Sequence, residues 1–207
     1  MAWLTIAVLW FAALQAPSVP VIDGKVDDAE WAGATTAALT GGGTVRILPR
    51  GEFVYVAVHG PRAGLASLCA AKGGVVRILH ASAAVGEARY ERGVSTWKQT
   101  SAFDFTLRDA PRAGRSPTSP EYADYLRAAG WVANSSAAGS PDREFQVRAD
   151  AIDALGVTFL ATSEPMSLSY WPATIADDCT STPIAQGYLP ASASFDPSTW
   201  HRLKRSR

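Results

Sequence analysis

Apolar and polar side chains alternate over short stretches of this 207-residue chain, and turn residues separate the stretches. Alternation with a period of two is typical of β-strands that bury one face. In one stretch Val54, Val56 and Val58 share a face, which indicates a sheet with one buried and one wet side. Eight strands are predicted, over residues 45–48, 53–59, 75–80, 88–92, 97–108, 144–149, 157–163 and 166–171.

Helical patterns are fewer than strand patterns. Residues 119–130 combine an N-cap serine, a proline at the first helical position and a closing glycine, so they predict a helix inserted on long loops. Asp27 and Glu30 have capping-box spacing, which predicts a second, short helix that places Trp31 in the core. The fold class is therefore predicted as all-β, a two-sheet antiparallel β-sandwich of the immunoglobulin or jelly-roll type with one short inserted helix.

The first segment is apolar and uncharged. Residues 1–18 carry no charged side chain, and 2–14 form an almost unbroken apolar run. A helix of that run would span about 20 Å, which is short of the roughly 30 Å bilayer core. We predict a secretory signal peptide cleaved near Val19, the alternative being an N-terminal element packed in the core. We expect a secreted or periplasmic domain at 19–200 with a basic tail at 201–207, and no stable membrane insertion after cleavage.

The two cysteines, Cys69 and Cys179, fit an oxidising compartment, where a distant pair persists as a disulfide. The alternative is two unrelated buried thiols, and the neighbours of both cysteines are typical of loops. Neither has a second cysteine or histidine at ligand spacing, so no metal site is predicted there. Asp177 and Asp178 are candidate calcium ligands, although a turn beside Cys179 explains the two acidic residues as well. No other cofactor is predicted.

Composition narrows the function classes. Apolar residues make up 47% and charged residues 18% of the chain, with 19 basic and 19 acidic side chains. A disordered polyelectrolyte is therefore excluded, and zero net charge argues against sequence-independent nucleic-acid binding. The chain has no G-x-S-x-G elbow, no H-E-x-x-H helix and no P-loop, so it is not predicted to be an enzyme.

Residues 21–31, from the Val-Ile-Asp-Gly turn to a tryptophan, resemble the opening of family 9 carbohydrate-binding modules and their relatives in the DOMON superfamily. Residues 53–58 are similar to the second strand of that family, and 144–149 with 155–159 are similar to its late strand pair. The resemblance spans most of 19–172. It implies a β-sandwich that binds carbohydrate without altering it, although the family's ligand-clamping tryptophans and calcium ligands do not map onto this chain.

Sugar binding needs flat aromatic faces beside planar polar groups. Trp171 is the first candidate, because alternation along its strand places it on the side of the serines and away from Tyr170. Trp97 stands at a strand entrance, and Trp131 ends the inserted helix. The alternative for all three tryptophans is packing beneath a loop.

Polar candidates for the same site are a histidine and two arginines. His80 shares a face with apolar neighbours, so it is either a ligand contact or a hydrogen-bonded core histidine. Arg77 and Arg108 are candidate bidentate donors, although an outward arginine on a strand is usually only solvated.

These observations predict a secreted, non-catalytic module that binds a polysaccharide or oligosaccharide. One alternative is a haem-binding electron-transfer domain, as in some DOMON relatives, with Met166 and one of His59, His80 or Lys98 as axial ligands. A second alternative is a structural interaction module of the cell envelope. Asn134 opens a formal N-glycosylation sequon.

Overall fold

The computed structural model describes residues 19–108, 119–134, 139–182 and 189–204, so the predicted leader lies outside the described residues. Within them the chain has one α-helix, α1, at Pro120–Ala129. The strands are β1 Thr35–Ala38, β2 Thr44–Arg50, β3 Phe53–His59, β4 Gly64–Lys72, β5 Val75–Ala81, β6 Ala84–Arg92, β7 Trp97–Arg108, β8 Trp131–Ala133, β9 Asp142–Arg148, β10 Ala154–Ala161, β11 Ser167–Trp171, β12 Ser192–Ala193 and β13 His201–Arg202.

The strands form two antiparallel sheets. The five-stranded sheet has the order β1-β2-β3-β9-β8, and the eight-stranded sheet has the order β11-β10-β4-β5-β6-β7-β12, with β13 paired to β10. Their facing sides share one apolar core, in which Val56 and Phe145 of the first sheet meet Leu68 and Phe159 of the second. The predicted all-β, two-sheet antiparallel sandwich is confirmed.

The outer face of the five-stranded sheet is covered by the segment at 19–34. Ile22 and Trp31 pack there on Tyr55 and Ala57 of β3. The strand is consequently buried on both faces along most of its length, although its alternation predicts one face in water.

The outer face of the eight-stranded sheet is covered by the C-terminal segment, described at 172–182 and 189–204. Ile175, Phe195 and Trp200 form an apolar cluster there with side chains of β4, β5 and β6. The predicted disulfide between Cys69 and Cys179 is confirmed, and it ties this segment to the sheet. Cys69 lies within β4 and not in a loop, so that part of the sequence prediction is wrong.

The helix α1 begins and ends at the predicted positions, but Ser119 at its N-cap makes no capping hydrogen bond through its side chain. Pro120 occupies the first turn, and Gly130 closes the helix at φ 73°, a left-handed conformation that glycine adopts without strain. The Gly130 N–H donates to the Leu126 carbonyl, and Tyr122 reaches the main core. The other helix prediction is wrong, because residues 28–33 form turns.

Candidate functional site

A groove of about 490 Å³ lies between α1 and strands β6 and β7. Volumes of about 300–1,000 Å³ are usual for small-molecule sites. The strand side chains of the groove point to the inner face of the sheet, since they alternate in phase with Val85 of the main core. The lining residues are Glu87 and Arg89 of β6, Ser101 and Asp104 of β7, and Tyr125, Ala128 and Ala129 of α1.

Glu87 is the centre of a hydrogen-bond network at the base of the groove. Its Oε1 accepts from Arg77 Nε at 2.9 Å and Arg89 Nε at 2.6 Å. Its Oε2 accepts from Arg77 Nη2 at 2.6 Å and Trp131 Nε1 at 2.8 Å. Burial alone would raise the pKa of this carboxyl, but the hydrogen bonds and charges of the two arginines lower it. Glu87 is therefore an ionised carboxylate whose acceptor positions are already used within the protein.

Arg77 and Trp131 fix this network to the rest of the fold. Arg77 Nη2 also donates to the Ala129 carbonyl at 2.8 Å, in the last turn of α1, where the helix dipole favours a positive charge. Trp131 is fully buried on β8, and Tyr125 of α1 packs edge-on against it with ring centroids 5.5 Å apart. Helix, edge strand and large sheet are thus joined at the base of the groove.

Three polar groups of the groove remain available to a ligand. Among the described residues, Arg89 bonds only through Nε, which leaves its Nη1 and Nη2 without a protein partner. The carboxylate of Asp104 and the hydroxyl of Tyr125 likewise make no hydrogen bond within the described part of the chain. Burial raises the pKa of Tyr125 far above its usual value, so its hydroxyl stays protonated and can donate. These groups supply donors and acceptors suited to a polyhydroxylated ligand.

The three candidate tryptophans do not meet on one open surface. Trp131 lies beneath the groove, and it offers its N–H to Glu87 and no face to solvent. Trp97 is 5% exposed under the C-terminal segment, where its Nε1 donates to the Phe195 carbonyl at 2.8 Å. Burial of both rings argues against a stacking role and favours the packing alternative.

Trp171 lies at the other edge of the eight-stranded sheet, on β11. Its alternation predicts a position away from the core, but the ring packs against the main core, beside Val157 of β10. Ser169 on the same side of the strand is fully buried. The partly buried Trp171 ring also lies 4.7 Å from the His201 ring, centroid to centroid. The predicted orientation is wrong, because the serine side of β11 faces the interior.

His80 is a core histidine with a hydrogen-bond partner. It is 1% exposed, its Nδ1 lies 2.9 Å from Ser67 Oγ, and the Phe103 ring is 5.7 Å away. Burial, with a smaller contribution from the charge of Arg143, lowers the pKa of His80 to about 4. Arg108 is the last residue of β7, and its side chain lies outside the described part of the structure.

The acidic pair beside Cys179 organises the C-terminal segment. Asp177 accepts hydrogen bonds from the Cys179 and Asp196 amides and from Trp200 Nε1. Asp178 accepts the Ser194 amide at 2.7 Å. The described residues contain no group of three or more acidic, histidine or cysteine side chains that could hold a metal ion. The geometry favours the turn interpretation of this pair.

The histidines and the methionine proposed as haem ligands have separate surroundings. Met166 is 64% exposed, whereas His80 is buried against Ser67. His59 is surface-exposed, with its Nδ1 2.6 Å from Asp142 Oδ1. No observation on these residues favours the haem alternative.

The motif that resembles the family 9 opening has a structural role. Glu144 on β9 is fully buried, and its Oε2 accepts the Gly24 amide at 2.7 Å. Asn134 is 4% exposed and accepts the Glu144 amide at 2.6 Å, so the sequon asparagine is in the interior and not available for glycosylation. A Cβ at Gly24, whose φ is 83°, would lie 2.7 Å from Asn134 Nδ2, which explains the glycine.

Glu87, Arg89, Ser101, Asp104 and Tyr125 are the groove residues that sequence reasoning missed. One signal could have identified two of them. Glu87 and Arg89 continue, at intervals of two, the strand face that begins with Val85, and charges on the core-facing side of a strand are unusual.

Comparisons with known proteins returned no relative. No protein-family model, no curated protein and no solved structure matches the chain. The resemblance to family 9 modules therefore stays a prediction. Among the described residues, no helix has the length and apolar character needed to cross a bilayer.

Proposed function

We propose that this chain is a non-catalytic module that binds carbohydrate in the groove between α1 and strands β6 and β7. One observation carries the proposal: Arg89, Asp104 and Tyr125 bring donors and acceptors that have no partner among the described residues into a single groove of about 490 Å³. Sugar hydroxyls donate and accept at once, and hydrogen bonds that involve a charged partner are the stronger ones. Such a groove suits a ligand that is rich in hydroxyl groups.

Rigidity of the groove supports recognition. The side chains of Arg77 and Glu87 are each 11% exposed, and their two hydrogen bonds, with that from Trp131, hold the base of the site in one geometry. Arg89 is oriented by the same carboxylate, so less side-chain freedom is lost when a ligand binds. The proposed site therefore depends on polar groups and Tyr125, and not on Trp97 or Trp171.

The side chains of the groove support binding of a carbohydrate without its hydrolysis. Glycoside hydrolysis uses two carboxyl groups, one as acid and one as base or nucleophile. Glu87 accepts four hydrogen bonds from protein donors, which makes it a poor base and a poor nucleophile. Of the described residues that line the groove, that leaves Asp104 as the one carboxylate that a ligand can use.

Secretion or periplasmic location is part of the same proposal. The Cys69–Cys179 disulfide closes a loop across 110 positions of sequence, and disulfides of this kind persist in oxidising compartments. The apolar segment at 1–18 supports export as a leader.

The proposal is tested by calorimetric titration of the mature chain with neutral and acidic oligosaccharides. We expect Arg89→Gln to weaken the tightest interaction about tenfold or more, since a hydrogen bond to a charged group is worth about 1.5–3 kcal/mol. Arg127→Gln is the matched control, because that arginine lies on α1, is 75% exposed and does not line the groove.

The same titration distinguishes a binding site in the groove from a site elsewhere on the protein. Trp171→Ala should leave binding unchanged, and a loss in that variant would move the site to β11. If the intact chain binds none of the oligosaccharides, the proposed function is wrong.

A further inference from the structure

We infer that the groove prefers neutral sugars to acidic ones and that Asp104 determines this specificity. The inference rests on the proposed carbohydrate site and names the class of sugar that the site accepts. It depends on where the charges of the groove lie and on which of them are already compensated.

Among the described residues, two guanidinium groups and two carboxylates meet at the groove, and their formal charges sum to zero. Arg77 and Glu87 compensate each other through two hydrogen bonds, and both side chains are largely buried. A ligand therefore meets Arg89, whose side chain is 52% exposed, and the exposed Asp104. The described part of the groove therefore offers a ligand one positive and one negative group.

The two carboxylates share one face of the sheet. Glu87 and Asp104 are directly opposite each other in the β6–β7 register, and opposite residues of an antiparallel pair point to the same side. Arg89 donates to Glu87 Oε1 at 2.6 Å, so its guanidinium is held beside this acidic pair. Any ligand group that reaches Arg89 comes close to negative charge.

An acidic sugar would bring a third carboxylate into this space. Its attraction to Arg89 would be opposed by Asp104, whose charge no described residue compensates, and like charges placed together at an interface disfavour binding. A neutral sugar has no such cost. Its hydroxyls can donate to Asp104 and accept from Tyr125 and from the Nη atoms of Arg89, which have no partner in the described part of the chain.

Ser101 strengthens the acceptor side of the groove. It is paired with Arg89 in the β6–β7 register and lines the same groove. Its hydroxyl donates to the Ala102 carbonyl at 3.2 Å, which leaves its lone pairs to accept from a ligand. The groove thus offers acceptors from Ser101 and Asp104 to the hydroxyl hydrogens of a sugar.

The test compares matched pairs of sugars by calorimetric titration: galacto-oligosaccharides against galacturono-oligosaccharides, and gluco-oligosaccharides against glucurono-oligosaccharides. We expect the wild-type chain to bind the neutral member of at least one pair about tenfold or more tightly than the acidic member. Asp104→Asn keeps the side-chain shape and removes the charge. It should weaken neutral binding several-fold, strengthen acidic binding, and so reduce the preference at least tenfold.

Asp124→Asn is the control, since it removes an exposed carboxylate from α1 that does not line the groove, and it should behave as wild type. Asp104 is exposed and has no partner among the described residues, so its variant should fold, which thermal denaturation verifies. An acidic member bound as tightly as its neutral partner, or a preference unchanged in Asp104→Asn, overturns the inference and leaves the carbohydrate site standing. Failure of every sugar to bind overturns the proposed function itself.

Discussion

The indole of Trp31 donates its N–H to Glu144 Oε1 at 3.1 Å, although 113 positions of sequence separate the two residues. The other oxygen of this carboxyl accepts the Gly24 amide at 2.7 Å. One buried side chain of β9 therefore holds both the Asp-Gly turn and the tryptophan of the opening motif. The motif anchors the N-terminal segment to the outer face of the five-stranded sheet, and its residues belong to the architecture rather than to a ligand site.

Glu144 should make folding stability depend on pH between about 4.5 and 8. Burial raises its pKa from an ordinary value of 4.5 to about 8, so between pH 4.5 and 8 the folded chain holds a proton that the unfolded chain has lost. This contribution is complete below pH 4.5 and is lost as the pH rises through 8, at up to about 1.4 kcal/mol per pH unit. Urea unfolding should show this slope in the wild type between pH 6.5 and 8, with a plateau above 8, and Glu144→Gln should lose the slope. Glu52→Gln, which changes an exposed glutamate, should keep the slope.

His80 should produce the opposite slope at lower pH. Its folded pKa of about 4 lies below the ordinary 6.5, so the unfolded chain binds more protons between those values. The contribution of His80 to stability should fall as the pH drops below 6.5, and its loss should be complete below 4. His80→Gln should remove this contribution, whereas His59→Gln at an exposed position should not.

The two buried groups oppose each other between pH 4.5 and 6.5, because Glu144 and His80 have slopes of opposite sign there. The wild-type profile is therefore expected to be nearly flat in this range. Glu144→Gln should reveal the histidine slope, and His80→Gln should reveal the glutamate slope. A flat profile in either single variant would contradict the assignment of the remaining group.

Alternation revealed most strands of the sandwich but not β4. That strand is buried along eight of its nine residues, because the other sheet covers one face and the C-terminal segment covers the other. A strand with no wet face has no period-two pattern, so its small residues around Cys69 are typical of a loop when only neighbours are considered. The disulfide partner was predictable because the chain has just two cysteines.

The groove was not predictable, because its parts come from distant stretches of sequence. Arg77 is a bidentate donor, as its candidacy suggested, but its acceptor is Glu87 of the next strand and not a ligand. Tyr125 joins the site through packing of α1 against β7 and β8, which no local pattern specifies. The sequence makes Trp97 and Trp131 candidates for ligand binding, yet both indoles are buried and donate their N–H groups to acceptors within the protein.

The disulfide should contribute substantially to stability. Cys69 and Cys179 are fully buried and 110 positions apart, and closing a loop of this size constrains the unfolded chain by about 4–5 kcal/mol in the chain-entropy model. The double variant Cys69→Ala, Cys179→Ala should lower the free energy of unfolding in urea by about 4 kcal/mol. It should also increase exposure of Trp200, observed as a red-shifted fluorescence spectrum. A change under 1 kcal/mol would mean that the covering segment is held by its apolar contacts alone.

Glu87 should be more important for stability than any other carboxylate of the groove. Glu87→Gln would leave the buried guanidinium of Arg77 without its charge partner, and breaking a buried pair from one side costs about 3–5 kcal/mol. Urea unfolding should show a loss of about 3 kcal/mol for Glu87→Gln, and a change within about 0.5 kcal/mol for Asp104→Asn at an exposed position. The double variant Arg77→Met, Glu87→Met removes both charges and should recover part of the loss. If Glu87→Gln is as stable as wild type, the network does not preorganise the groove, and the orientation of Arg89 must come from the ligand.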